Sequence, residues 1–279
     1  MSLKHKKGDF ILLGIFILLA IIVLYPLMIT FTNAFMSAEE VRRHYVFQKN
    51  RMVCIPDEVT LKAYQDLLFN RPKYLMYFLN SVKITVPIIA GQLVVSFLAA
   101  YGLHTSKFRG KKVVFGLYIL VMLLPVQVVM VPNYMVIHRL HLMDHHLAII
   151  LPGIFSPFGT FLLVQFMKGI PFEYLEAAKM DGANHYQMMG QVVMPLMKSG
   201  LFSLAILTLI EYWNVVEPAL VFLQDVYKAP LSVYLSEIGN NQMDLIFAAS
   251  CFYMIPVLLA FLYGQDYLIE GIELSGVKG

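Results

Sequence analysis

The sequence predicts an all-α membrane protein with six transmembrane helices, and three observations support this fold class. Of its 279 residues, 59% are hydrophobic and 14% are charged, whereas soluble globular proteins carry about 25% charged residues. Six stretches meet or approach the roughly 20 apolar residues that one bilayer crossing needs. The lysines and arginines of the short loops are concentrated on one side of these stretches. A water-soluble single domain is therefore excluded as the leading interpretation.

The first predicted span, residues 10–31, follows Lys4, Lys6 and Lys7. This order is similar to the basic start of a secretory signal peptide, but the apolar run exceeds the usual length of about 7 to 15 residues. We therefore expect an uncleaved membrane anchor. No linker or repeat divides the chain, so residues 1–279 are predicted to form a single membrane domain. The other five spans are predicted at residues 79–103, 113–131, 147–167, 200–223 and 245–264.

The distribution of lysine and arginine predicts the orientation, because short cytoplasmic loops carry an excess of both. The short outer loops carry only Arg139 and Lys228. The longer first outer loop, residues 32–78, carries more basic residues, but longer loops follow the rule less well. An even number of spans then places both termini in the cytoplasm. The basic residues of the short inner segments are Lys4, Lys6, Lys7, Lys107, Arg109, Lys111, Lys112, Lys168, Lys179, Lys198 and Lys278.

The inner loop at residues 168–199 is predicted to contain a helix, a turn and a second amphipathic segment. Pro171 suits the first position of a helix, and Gly182 supplies the permissive backbone that ends it. Ala177 and Ala178 favour the helix and have almost no side-chain bulk. Because small side chains allow a second protein to approach closely, we expect this loop to be a docking surface on the inner face.

The same loop carries a specific pattern of acidic and small residues. It resembles the EAA motif of the permease subunits of binding-protein-dependent ABC importers. The pattern is Glu176-Ala177-Ala178, three residues, Gly182, nine residues, then Val192-Val193-Met194-Pro195. In that family the loop forms a cytoplasmic coupling helix. The resemblance therefore implies that an ATPase subunit docks on Glu176, Ala177, Ala178, Asp181 and Gly182.

A second signature stands at the carboxyl terminus, far from the first in sequence. Residues 265–279 resemble the closing sequence of MalG-like sugar permeases, which implies that this tail reaches the ATPase interface. The candidate contacts in the tail are Gln265, Gly271 and Lys278. Two distant signatures together identify the chain as a member of this family, with the type I ABC importer permease fold.

The resemblance implies a complete import system around this chain. The expected partners are a homologous MalF-like permease subunit, two cytoplasmic ATPase subunits and an extracellular binding protein that delivers a sugar or oligosaccharide. The chain would be a multi-pass protein of a bacterial or archaeal inner membrane, in contact with lipid and not with nucleic acid. It would not be an enzyme and would bind no cofactor, since ATP and magnesium belong to the ATPase subunits. The sequence has no G-x-x-x-x-G-K-[ST] phosphate loop, which fits this division of labour.

Glu211 and Asn214 are candidate residues of a translocation path within the fifth span. Ionisable groups inside a span are costly and commonly mark a water-filled path or a polar partner. A spacing of three residues places both side chains on one helical face. A structural hydrogen bond to a neighbouring helix is an equal alternative at this point.

A polar cluster between spans three and four is a weaker candidate. Histidine and aspartate at these spacings can ligate zinc, but no closed ligand set can be argued from them. We therefore prefer a polar outer turn and assign no metal site. The cluster comprises His138, His141, Asp144, His145 and His146.

Two other functions stay open on sequence alone. An ion-driven secondary transporter would need titratable residues in several spans, and only Glu211 qualifies. A membrane anchor or assembly protein without transport could use the inner loop for docking alone. That role would leave Glu211 and Asn214 unexplained.

Overall fold

A computed structural model describes residues 3–47, 55–70, 72–237 and 243–276. Within these ranges the regular structure is entirely helical, so the predicted all-α class is confirmed. The α-helices are α1 (Leu3–Asn33), α2 (Ala38–Val41), α3 (Lys62–Gln65), α4 (Pro72–Thr105), α5 (Lys111–Met122), α6 (Val126–Arg139), α7 (Leu147–Ile154), α8 (Pro157–Met167), α9 (Phe172–Met180), α10 (His185–Gln187), α11 (Met194–Leu196), α12 (Lys198–Trp213), α13 (Glu217–Phe222), α14 (Leu231–Glu237) and α15 (Met243–Gly276). Short π-helical segments occupy Arg42–Phe47, Asp66–Asn70 and Met188–Val193, and Val226–Lys228 forms a 3-10 turn.

Six parts of the described chain can serve as membrane spans. Four are long and apolar enough on their own, namely Leu12–Asn33, Lys73–Thr105, Leu147–Met167 and Leu245–Tyr267. Two more are bent pairs, Lys111–Met122 with Val126–Arg139 and His185–Leu196 with Lys198–Trp213. Counting each bent pair as one span gives six, which is the number that the sequence predicts.

The first bend has a local cause. The helices α5 and α6 meet at 102°, and the break lies at Pro125, which precedes α6 with an extended ψ of 143°. Proline has no amide hydrogen and forces the residue before it out of helical geometry, so a helix ends there. The second pair bends by 74° between Leu196 and Lys198.

The fifth predicted span, residues 200–223, is divided in the structure. The α12 helix ends at Trp213, and Glu217 begins the short α13. The side-chain amide of Asn214 donates a hydrogen bond to the carbonyl oxygen of Ile210 at 2.7 Å. This bond satisfies one of the carbonyl groups that a helix end leaves without an intrahelical partner.

The described chain forms two compact units, residues 1–75 with 235–255 and residues 76–234 with 256–279. The assignment of residues 1–279 to one domain stays a prediction. In the first unit, the apolar side chains of α1 from Phe10 to Phe31 are largely exposed. A helix that is apolar all round is suited to contact with lipid.

Polar and aromatic contacts stabilise the rest of the first unit. The hydroxyl of Tyr74 donates to the carbonyl oxygen of Ala249 at 3.0 Å. The rings of Tyr64 and Phe252 meet edge to face with their centroids 5.5 Å apart. These contacts hold the start of α4 and the segment around α3 against α15.

Close helix packing characterises the second unit. A Cβ atom on Gly91 would lie 2.6 Å from the Cγ1 of Ile154, so α4 and α7 approach closely at this glycine. The hydroxyl of Thr208 on α12 donates to the Oε1 of Gln92 on α4 at 2.8 Å, and both side chains are buried. Such buried polar pairs hold helices together where water is excluded.

Candidate functional site

The inner loop folds into a helix, a tight turn and a second helical limb, which we call the elbow, residues 171–197. Its first limb, α9, begins after Pro171. Leu175 on this helix is 6% exposed, whereas its neighbours Glu176 and Ala177 are exposed. The helix therefore presents one face to the protein and the opposite face outward.

Gly182 makes the turn of the elbow. Its φ angle is +82°, which is the left-handed region that glycine adopts without a steric cost. The Gly182 amide donates to the Lys179 carbonyl at 3.1 Å, and the Ala183 amide donates to the Ala178 carbonyl at 3.0 Å. These two bonds form a Schellman motif, so the predicted glycine stop is present at this residue.

Asn184 starts the second limb with a capping box. Its side-chain oxygen accepts from the Gln187 amide, and the Gln187 side chain accepts from the Asn184 amide, both at 2.9 Å. Reciprocal caps of this kind satisfy two donors at a helix start. The chain then continues through α10, a π-helical segment and α11 into α12.

The inward face of the elbow is part of a hydrophobic core shared with the neighbouring helices. Leu175, Val193 and Met197 contribute from the two limbs of the elbow. In addition, the Nδ1 of His185 lies 3.3 Å from the hydroxyl oxygen of Tyr101 on α4. Because protein interiors are close-packed and transmit displacement, a force on the elbow is passed to these helices. The core residues outside the elbow are Phe97, Ala100, Tyr101, Leu103, Leu163, Val164, Met167 and Leu204.

The outward face contains the predicted docking residues. Glu176, Ala177, Asp181 and Gly182 are exposed, and Ala178 is partly exposed. Two large apolar side chains of the elbow that the sequence patterns do not mark, Met180 and Tyr186, are 88% and 82% exposed. Their positions outside the buried face of each limb are the signal that could have revealed them. Exposed large apolar side chains of this kind are available for contact with a partner protein.

A cavity of about 730 Å³ lies elsewhere in the second unit. This volume falls within the range of about 300–1,000 Å³ that is usual for small-molecule sites. Three helix breaks meet at its wall, at Leu124, Ser156 and Asn214. In membrane proteins, backbone outside regular helices is tolerated where it lines a cavity. The polar residues of the wall are Asn133, Ser156, Glu211, Tyr212, Asn214 and Glu217.

Glu211 and Asn214 both line this cavity, and their role in a translocation path stays a prediction. Their place in the fold differs from the expected one, however. Glu211 lies in the last turn of α12, and Asn214 is the residue at its carboxyl end. Because α12 ends at Trp213, both residues lie at the end of a helix and not in the middle of a continuous one. Sequence reasoning missed Asn133 and Glu217, whose separation along the chain hides their shared cavity.

The carboxyl-terminal tail is described only in part. Gln265 is exposed on α15, and Gly271 belongs to the same helix. Lys278 lies outside the described residues. Near Gln265, the ring of Tyr267 stacks on Phe202 of α12 with centroids 4.5 Å apart.

The polar cluster between spans three and four forms a turn with its own hydrogen bonds. The ammonium group of Lys228 lies 2.7 Å from the Oδ2 of Asp144. The Asp144 Oδ1 accepts the amide hydrogens of Gln224 and Asp225, at 3.0 and 2.9 Å. The Lys228 hydrogen bond, together with these amides, lowers the pKa of Asp144. The Nε2 of His146 lies 2.9 Å from the Lys228 carbonyl oxygen.

Helical spans, a mostly apolar cavity with several polar side chains, and a surface elbow are together the features of a membrane permease. The particular family follows from comparison with known proteins. Residues 73–273 match the family described as the binding-protein-dependent transport system inner membrane component, so the chain belongs to this family of ABC import permeases.

Similar proteins cover almost the whole chain. The arabinooligosaccharides transport system permease protein AraQ of Halalkalibacterium halodurans is 30% identical, over 91% of this chain and 91% of that protein. AraQ of Bacillus subtilis is 32% identical over 80% of this chain and 81% of that protein. The sn-glycerol-3-phosphate transport system permease protein UgpE of Pectobacterium atrosepticum is 30% identical, with coverages of 89% and 90%.

One solved structure shows the same fold. It is a chain of a bacterial ABC transporter involved in the import of the acidic polysaccharide alginate. It matches with a TM-score of 0.82 and 24% identity, and the match covers 96% of this chain and 98% of that chain. The fold of an ABC importer permease is thus shown for this chain.

Family membership decides between the functions that the sequence left open. The chain is a multi-pass membrane permease component of an ATP-driven import system, and the family does not support the ion-driven secondary transporter. A membrane anchor without transport is equally disfavoured, because the family consists of transport-system components.

Proposed function

We propose that this chain is one of two homologous permease subunits of an importer that carries a carbohydrate from an extracellular binding protein into the cytoplasm. Relatives that cover most of the chain are named for transport of arabinooligosaccharides and of polygalacturonan or rhamnogalacturonan. A further relative is named for sn-glycerol-3-phosphate. These names support a sugar, an oligosaccharide or a related polyol as the substrate class.

The observation that carries the proposal is the two-faced elbow. Its outward face holds Glu176, Ala177 and Gly182, and its inward face is locked into the span core through Leu175. A surface of this kind can receive a push from a partner and pass it to several helices. We assign the docking of one cytoplasmic ATPase subunit to Glu176, Ala177, Ala178, Asp181 and Gly182.

Two ATPase subunits would supply the energy, with ATP and magnesium bound in them and not in this chain. Closure of the ATPase pair on ATP would move the elbow and switch the spans between inward-open and outward-open states. Such switching requires that ATP and the loaded binding protein each favour one state. In this arrangement both termini are cytoplasmic, and the tail with Gln265, Gly271 and Lys278 faces the ATPase subunits.

The cavity is the part of the path that this chain would contribute. Carboxylate and amide side chains, here Glu211 and Asn214, can accept and donate hydrogen bonds to sugar hydroxyl groups. The mostly apolar wall with a few convergent polar groups is typical of a small-molecule site. The second permease subunit would complete the path from the other side.

The experiment that tests the proposal is uptake by reconstituted vesicles that contain both permease subunits, the ATPase subunits and the binding protein. Ligands for the binding protein are first found by thermal shift, because a bound ligand raises the melting temperature. We expect an oligosaccharide or glycerol phosphate to be found and then accumulated in an ATP-dependent manner. A binding protein that responds only to amino acids, peptides or metal ions would contradict the proposed substrate class.

A further inference from the structure

Three potential metal ligands meet in the first outer loop, far along the chain from the elbow and the cavity. Glu40 belongs to α2, His44 to the π-helical segment that follows, and Asp57 to the described part of the loop beyond it. Each offers one ligand atom, and these atoms lie within 4.8 Å of one another. Glu40 and His44 are four residues apart in a continuous helical stretch, which places both on one face.

The Glu40 carboxylate is buried. The residue is 2% exposed. Its Oε1 accepts the Asp57 amide hydrogen at 2.7 Å, but its buried Oε2 has no hydrogen-bond partner among the described residues. No lysine or arginine of the described chain forms an ion pair with it. A buried carboxylate is strongly unfavourable unless it is paired or binds a metal ion.

The imidazole ring of His44 also lacks hydrogen-bond partners among the described residues. Both ring nitrogens, Nδ1 and Nε2, are buried and have no hydrogen-bond partner within the described ranges. A neutral imidazole has one donor and one acceptor nitrogen, and buried polar atoms are nearly always satisfied. The carboxylate of Glu40 and the imidazole of His44 lie close together and both lack partners among the described residues, which points to a single bound ligand that contacts both.

We propose that Glu40, His44 and Asp57 bind a divalent transition-metal ion, with zinc as the expected occupant. An imidazole nitrogen in the set favours zinc, nickel or cobalt over calcium and magnesium, which prefer oxygen ligands. Zinc binds nitrogen and oxygen ligands at about 2.0–2.2 Å, so the three ligand atoms must approach one another by about 1 Å when the ion enters. Asp57 can make this movement because its side chain is 67% exposed and has only a loose contact with Arg43, at 4.0 Å.

The ion would tie α2 to the loop at Asp57 and fix the fold of this outer segment. A site with three protein ligands also leaves a coordination position for water. The proposal does not rest on the transport function, because the three ligands belong to one compact unit that lacks both the elbow and the cavity. Failure of one proposal therefore leaves the other standing.

The test is zinc binding by the full chain, purified in nanodiscs together with the subunits that co-assemble with it and with a tag that contains no histidine. After removal of metal by EDTA and addition of zinc, metal analysis should find one more zinc ion per complex in the wild type than in His44→Ala. Isothermal titration should show affinity weakened about tenfold or more in Asp57→Asn. Asp57→Asn is the safeguard against misfolding, since that side chain is largely exposed.

The matched control is His145→Ala, which removes an exposed histidine of the other outer turn. We expect this variant to keep the full zinc content, and cobalt substitution in the wild type to give the visible absorption of a nitrogen- and oxygen-ligated ion. Equal zinc content in the wild type, His44→Ala and Asp57→Asn would overturn the proposal. So would loss of the ion in His145→Ala, or a site that takes calcium in preference to zinc.

Discussion

The Nδ1 of His185 lies 3.3 Å from the hydroxyl oxygen of Tyr101, and the two rings meet edge to face with centroids 6.4 Å apart. This pair joins the second limb of the elbow to the carboxyl-terminal part of α4. The apolar core around Leu175 joins the first limb to the same group of helices. The elbow is therefore held at both limbs, which is what a part that transmits force requires.

Tyr101→Phe should weaken coupling without preventing assembly. A single hydrogen bond contributes about 1 kcal/mol, which corresponds to a roughly fivefold shift in an equilibrium between two states of the elbow. We expect fewer substrate molecules transported per ATP hydrolysed in proteoliposomes. The matched control is Tyr263→Phe, since Tyr263 lies on α15, outside the elbow, and is 84% exposed. An unchanged transport ratio in Tyr101→Phe would show that this pair has no part in coupling.

Gly182→Val should uncouple or disassemble the complex. The φ angle of +82° costs a non-glycine residue about 1–2 kcal/mol, and a β-branched side chain is especially unfavourable there. A Cβ atom at Gly182 meets nothing within 4 Å, so the effect comes from the backbone and not from a clash. The measurement is ATPase stimulation by the loaded binding protein.

Gly190→Val is the control for this change. Gly190 also lies in the elbow and has open space around its Cβ position, but its φ angle is not positive. We expect Gly190→Val to retain stimulation that Gly182→Val loses. Normal stimulation in Gly182→Val would contradict the assigned role of the turn.

Glu176→Lys should weaken binding to the ATPase subunit. The side chain is exposed, so the folded chain loses little, whereas the docking surface has its charge reversed. A like-charge contact at an interface costs several kcal/mol at most, and we expect co-purification to fall about tenfold at moderate salt. Gln191→Lys adds a positive charge at another exposed position of the elbow and should leave co-purification intact. Equal recovery from both variants would remove Glu176 from the interface.

Glu211→Gln and Asn214→Ala should reduce substrate uptake. Loss of a hydrogen bond to a charged group costs about 1.5–3 kcal/mol, so we expect uptake efficiency to fall at least about tenfold for Glu211→Gln. Glu237→Gln is the control, because Glu237 is exposed and does not line the cavity. Unchanged uptake in both cavity variants would leave their side chains with a structural role only.

The turn around Asp144 should keep its structure between pH 8 and pH 5. The pKa of Asp144 is lowered, chiefly by its hydrogen bond with Lys228. A carboxyl group with a lowered pKa stabilises the fold fully above its ordinary value near 3.9, and this contribution is lost only as the pH falls through the lowered value. Hydrogen exchange at the Gln224 and Asp225 amides, compared with Asp144→Asn, measures the effect. A protection difference that vanishes between pH 8 and pH 5 would contradict the assigned ionisation.

The sequence predicted the parts of the fold that depend on hydrophobicity and on local backbone preferences. Long apolar runs sufficed for the helical class and for six spans, since every span must satisfy its backbone within a helix. The elbow was predictable because Pro171 and Gly182 act locally, through fixed and permissive φ angles. The exact bond pattern at Gly182 follows from the same local rule.

Features that depend on residues distant in sequence were not predictable. The break after Trp213 is an exception, because its markers are local: the Asn214 side chain bonds to the Ile210 carbonyl, and Pro218 stands in the first turn of α13. The shared cavity of Asn133 and Glu211 and the cluster of Glu40 with Asp57 arise from tertiary packing. The two residues of each pair lie on different helices or loops, so the hydrophobic periodicity of a single helix cannot predict that they meet.

The most direct test of the account is reconstitution of this chain with and without its ATPase partner. Vesicles that hold both permease subunits, the loaded binding protein and ATP should accumulate the carbohydrate only when the ATPase subunits are present and able to hydrolyse ATP. Accumulation by vesicles that contain this chain alone, driven by an ion gradient, would contradict the claim that the elbow transmits work from a separate ATPase.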